Sequence, residues 1–146
     1  MIPSLILWFT LLTLRPSTRL IQAPDPSPEE QEIASVIRQQ LDAFTFNDYE
    51  EAYRLTSKKI KERFSPDQYA EMVHAEYPEI TKPLIVSFGG IHFSPDPARA
   101  TTRVEITGFN HKKVTAEYQM IREEEGWRVD GITLITLRAR GPIGWG

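Results

Sequence analysis

The strongest restriction on the fold is a change of hydrophobic period between Pro78 and Pro83. Before it, Ile33, Val36, Ile37, Leu41 and Phe44 recur at three- and four-residue spacing. That spacing puts them on one face of an α-helix. After it, Ala100, Thr102, Val104 and Ile106 recur at every second position, and so do Val114, Ala116, Tyr118 and Met120. That spacing puts each set on one face of a β-strand. Helices first and strands second, each with one apolar face, specify an α+β domain with helices covering one side of an antiparallel sheet.

Caps punctuate the helical half. Ser27-Pro28-Glu29-Glu30 supplies an N-cap serine, a proline at the first helical position and a capping-box glutamate. Ser65-Pro66-Asp67-Gln68 repeats the pattern ahead of a helix carrying Tyr69, Met72, Val73 and Tyr77. Between them, Asn47-Asp48 ends the first helix and caps a short one, Tyr49 to Leu55, and Ser57 to Phe64 forms another brief piece with Ile60 and Phe64 apolar. Lys58, Lys59, Lys61 and Arg63 make that piece basic, which reads as a solvated face, with a docking patch for an anionic partner as the alternative. Pro78 stops the last helix, giving three or four N-terminal helical segments.

The second half reads as a four-stranded antiparallel meander. Leu84, Val86 and Phe88 form the inner side of its first strand, and a bulge at Gly89-Gly90 lets Ile91 and Phe93 rejoin that face. Pairing Ile106 with Val114 puts Arg103 opposite Glu117, a modestly favourable register. In the last strand, Trp127 and Val129 have one parity, and Ile132 and Leu134 the other. All four stay inward only if the chain slips by one residue at Asp130-Gly131, which predicts a second bulge and a curved sheet. Asp130 is then expected to face out or to cap its own turn.

The N-terminus is of a different kind. Ile2 to Leu14 is an apolar run, interrupted by Pro3, Ser4, Thr10 and Thr13 and closed by Arg15 and Arg19. It is too short for a spanning helix of roughly 20 residues and fits the apolar region of a signal peptide. Residues 1–23 therefore read as a signal peptide or membrane anchor with a cleavage point after Ala23, although no basic residue precedes the run and Pro24 would follow the cut. The protein is expected to be exported or membrane-anchored. A cytoplasmic protein with an apolar arm is the alternative, and a misassigned start a third. Residues 24–28 are a proline-rich linker, 29–138 the domain, and 139–146 a loose tail.

Several function classes fall away. The net charge is −3 with no basic block, so the footprint of a nucleic-acid binder is missing. With no cysteine there are no disulfides, thiolate metal sites or thiol nucleophiles. His74, His92 and His111 have no metal-ligand spacing, and no phosphate-binding glycine loop or nucleophile motif is present, so neither metal nor cofactor is expected.

The helix order, the curved meander and the GWRVDGI strand resemble the nuclear-transport-factor-2-like (NTF2-like), or cystatin-like, α+β cone. The central stretch also resembles a family of short bacterial domains of unknown function. The resemblance is carried by Ala52, Tyr53, Ser57, Ile60, Met72, Val73, Tyr77, Pro78 and Pro83, and runs from about Ile33 to Leu137. It implies a cone but brings no catalytic residues. The superfamily includes isomerases, dehydratases and hydrolases as well as members without catalysis, so the fold leaves function open. The sequence reading is a non-catalytic module. Its cone, lined by Phe44, Tyr53, Met72, Phe88, Tyr118 and Trp127, would hold a small apolar ligand, or its sheet would pair with a second copy or another protein. The alternatives are an acid/base enzyme using a buried Asp, His or Tyr, and an accessory structural subunit. Contact with a membrane is expected only through the N-terminal segment.

Overall fold

A computed structural model describes residues 24–135, so the expectations for residues 1–23 and for the tail lie outside the described residues. Five helices precede four strands: α1 Pro28–Thr45, α2 Tyr49–Arg54, α3 Lys58–Arg63, α4 Pro66–Glu76, α5 Pro78–Thr81, then β1 Pro83–Phe93, β2 Arg99–Gly108, β3 Lys113–Glu123 and β4 Gly126–Ile135. This is the α+β arrangement expected of an NTF2-like cone. Both serine capping boxes form, at Ser27 with Glu30 and at Ser65 with Gln68. The single turn of α5 was not anticipated. Pro78 does end α4, but a proline is also well suited to open a helix, and here it does both.

The sheet runs β1-β2-β3-β4 with every neighbour antiparallel. Ile106 pairs with Val114 and Arg103 with Glu117, where the side chains meet at 3.3 Å. Both expected bulges are present. One lies between Phe88 and Ile91, and the other leaves Asp130 without a partner on β3. The apolar stripe of α1 buries against the inner faces of β2, β3 and β4, with Phe44, Tyr118 and Trp127 wholly enclosed. Gln40 is polar in this core, and its amide donates to Ala52 O and Tyr69 Oη.

Strand β1 departs from the sequence reading. Its inner parity is as expected, yet none of its residues is buried: Leu84, Ile85 and Val86 are 49%, 60% and 36% exposed. It is one of the two edge strands, and α1 reaches only its middle, where Phe88 and Ile91 pack half-buried against the core.

Two ties join the helical layer to β4 and the end of β3. Thr56 forms a parallel bridge with Val129, whose N–H donates to Leu55 O and whose carbonyl accepts from Ser57 N–H, both at 2.9 Å. At the other end of β4, Glu29 pairs with Arg122, and Glu32 Oε1 accepts from Trp127 N–H at 3.3 Å. Gly126, in the turn before β4, has φ +128°, and a Cβ there would sit 2.7 Å from Glu32 Oε1. The Gly126→Ala variant is expected to lose about 1–3 kcal/mol, read as a lower urea midpoint with an unchanged slope.

Candidate functional site

The Thr56–Val129 bridge covers the outer edge of β4 at one point. Past the bulge, Gly131, Ile132 and Thr133 border an open cleft of about 540 Å³, walled by α3 and α4. Its apolar surface comes from Ile60 and Phe64 at one side, Met72 and Val73 at the other, and Ile132 along the strand. Ile60 lies within α3 and Phe64 is its extended C-cap residue, and both are half-buried against the core beside the cleft. Lys59 and Arg63 stand at the rim with Glu76. The Tyr77 hydroxyl donates to Ile132 O at 3.1 Å, which satisfies one carbonyl of the uncovered edge.

Asp130 forms part of the wall and is 8% exposed. Its Oδ1 accepts from Ser57 Oγ at 2.7 Å, while Oδ2 lies 3.5 Å from both Lys59 Nζ and Arg99 Nη1. Ser57 Oγ also accepts from Ile60 N–H and so caps α3. The expectation that Asp130 faces out or caps its own turn is therefore corrected. The bulge is real, but the carboxylate reaches Ser57, which the Thr56–Val129 bridge has brought alongside. That pairing joins residues far apart in sequence and leaves no local pattern to read. Lys59 is mostly exposed, so its ion pair adds little, whereas the short buried bond to the carboxylate is the stronger of the two.

The six residues proposed from sequence to line a pocket do not meet around one opening. Met72 borders the cleft. The half-buried Tyr53 donates its hydroxyl to Phe64 O at 2.7 Å, bracing the end of α3. Phe44, Tyr118 and Trp127 are fully enclosed in the core. Phe88 lies in a separate groove between α1 and β1, with the Arg38 guanidinium 4.8 Å from its ring centre. Sequence reasoning missed Ile60, Phe64, Tyr77 and Ile132 as a group. Their apolar parity was legible, but not that the helices leave this side of the core open.

Chemically, the cleft can shelter an apolar group and orient it with cations at the rim. His74, His92 and His111 are all exposed and none borders it. Among the described residues, no group of three or more His, Asp or Glu is placed to hold a metal ion. Behind the cleft, Tyr69 and Tyr118 are buried, and burial holds both phenols well above their ordinary pKa. Tyr118 Oη also has no hydrogen-bond partner among the described residues.

Two outcomes follow from this geometry. Ser57→Ala should cost about 1–3 kcal/mol in urea unfolding, because it removes a helix cap and leaves a buried carboxylate short of its best donor. The alkaline limb of stability should also be steep. In the unfolded chain the phenols ionise near pH 10, while the folded chain keeps them protonated. Above that pH the folded state binds more protons, so stability falls as pH rises. Unfolding midpoints measured from pH 8 to 11 should decline above about pH 10, less steeply in Tyr118→Phe.

Comparison with known proteins adds the following. A family model described as "Domain of unknown function (DUF4864)" matches residues 26–142. No curated protein matches the sequence. Among solved structures, a cystatin-like domain of unknown function from Nostoc punctiforme is 16% identical, with TM-score 0.56, covering 77% of this chain and 81% of that one. The intermembrane-space region of the chloroplast protein ARC6 is 13% identical, with TM-score 0.54, covering 76% and 99%. An NTF2-like protein of unknown function from Shewanella oneidensis is 11% identical, with TM-score 0.53, covering 71% and 96%. At such identities the likeness is one of fold.

Proposed function

The chain belongs to the family described as a domain of unknown function (DUF4864), and on that premise we propose that it is a non-catalytic module binding a small apolar ligand in the cleft between α3, α4 and β4. The observation that carries this reading is the cleft itself. Its volume of about 540 Å³ falls in the range of small-molecule sites, and apolar side chains from three elements converge on it. Lys59 and Arg63 at the rim favour a ligand whose polar end is neutral or anionic.

The acid/base alternative has one observation in its favour, a buried carboxylate in the wall of the cleft. Against it, Asp130 is already engaged by Ser57, Lys59 and Arg99, and no histidine borders the cleft to act with it as an acid/base pair. We also propose that residues 1–23 direct the module out of the cytoplasm or tether it to a membrane. No described helix is long and apolar enough to cross one. The mass of the mature N-terminus from the native host tests this, and an intact Met1 in the soluble cytosolic fraction would sink it.

Binding is tested with the neutral fluorescent probe N-phenyl-1-naphthylamine. Saturable, one-to-one binding in the micromolar range is expected. It should weaken at least tenfold in Met72→Trp, whose larger side chain fills the cleft, while the unfolding midpoint of that variant stays near wild type. Binding by Asp130→Asn should remain saturable. Failure of the wild-type protein to saturate with the probe would overturn the ligand-binding reading.

A further inference from the structure

We propose that the protein forms a two-fold symmetric homodimer in which β1 pairs edge to edge with β1 of a second copy, joining two four-stranded sheets. The two edges of the sheet are treated differently. The β4 edge is met by Thr56 at Val129 and by the Tyr77 hydroxyl at Ile132. The β1 edge has no strand against it among the described residues. Exposed edges are normally guarded by charge, proline, a bulge or a short strand, because their free N–H and C=O groups template further pairing. From Pro83 to Phe93 the only ionisable residue is His92. The guards are Pro83 with a register shift beside it at Leu84, and the Gly89-Gly90 bulge further along, which leaves Ile85 to Phe88 in regular register. Between them, Leu84, Ile85 and Val86 form an exposed, uncharged run. The solvent-facing sides of β2 and β3 differ sharply, carrying Arg103 with Glu117 and Lys113 with Glu105.

The apolar surface extends beyond the strand. Phe46 is 79% exposed and Phe109 is 62% exposed. Both converge on Lys82, the residue just before β1. Lys82 Nζ donates to Asn47 Oδ1 and Thr45 O, on either side of Phe46, and Phe109 N–H donates to Lys82 O. Phe46, Phe109 and Leu84–Val86 thus form one corner. Side chains of this size at these exposures present on the order of 500 Å² of apolar surface, set against about 800 Å² per partner in a standard interface. The backbone of the strand and the flanking residues would supply the remainder.

The occupant is a second copy because the strand complements itself. A two-fold axis at Val86 sets Leu84 against Phe88 of the other chain, Ile85 against Ser87 and Lys82 against Gly90. No like charges oppose one another, as an isologous contact requires. A lipid surface fits less well. Lys82 Nζ is held by Asn47 and Thr45, and Lys113 is paired with Glu105. Of the lysines flanking the corner, only the exposed Lys112 has no ion-pair partner among the described residues, and one cation does not make the basic cluster an anionic lipid surface attracts.

The full-length chain is used for the test. Sedimentation velocity should show a dimer whose unfolding midpoint rises with protein concentration, and Ile85→Lys, which places a charge on an already exposed position, should shift it to a folded monomer whose midpoint no longer depends on concentration. Because the chain has no cysteine, Val86→Cys introduces a single thiol. Opposed Cα atoms in an antiparallel pair are about 4.5–5.5 Å apart, within disulfide reach. Mild oxidation should therefore convert Val86→Cys to a covalent dimer and leave Arg103→Cys, on the outer sheet face, uncoupled. Three results would overturn the proposal: a monomeric wild-type protein, a dimer that persists in Ile85→Lys, or a monomer that binds phosphatidylcholine–phosphatidylglycerol vesicles through Phe46 and Phe109.

Discussion

The short parallel contact between Leu55–Ser57 and Val129 holds the molecule in its working shape. Two backbone hydrogen bonds of 2.9 Å and the buried Ser57–Asp130 bond fix the start of α3 against the last strand. That junction closes the outer edge of β4 at one level and leaves it open at the next. The cleft is therefore a by-product of where the covering stops. Its α3 wall is a six-residue helix, too short to be stable alone. It keeps its place because its N-cap serine is also the donor to Asp130, and because Tyr53 grips the carbonyl of Phe64 at its far end.

Electrostatics and burial divide the surface into regions of different character. The outer face of the central strands carries paired charges suited to water. The cleft combines an apolar lining with cations at its rim. The corner around Lys82 has large apolar side chains, with Lys82 itself held by Asn47 and Lys112 beside it without an ion pair among the described residues. Such concentration is informative, since single exposed apolar residues are common on any protein whereas clusters of them mark contact surfaces.

Much of the fold was legible in the sequence because it follows from local rules. Capping boxes, the change of period, the β2–β3 register and both bulges depend on residues near one another or on strict alternation. Two things were not legible, for the same physical reason. Alternation told which side Leu84 and Val86 face, but not that the helices reach that strand only from Phe88 onward and leave its start uncovered. Parity located the slip at Asp130, but the destination of its carboxylate depends on a partner 73 residues away. The site suffers most from this limit. Ile60, Phe64, Met72 and Ile132 each look like ordinary core residues, and only the tertiary arrangement leaves them beside an opening.

The ties between α1 and the β3–β4 hairpin bear on the order of folding. Glu32 meets Trp127, and Glu29 meets Arg122, across separations of 95 and 93 residues. On a ribosome, α1 emerges with its apolar stripe uncovered well before β4, the strand on which it chiefly docks. Neighbouring strands of the meander can zip up hairpin by hairpin, but the first helix must wait for the last strand before its core closes. During that interval Ile33, Ile37 and Phe44 form a sticky surface on the nascent chain, and this is when the protein would have most use for a chaperone.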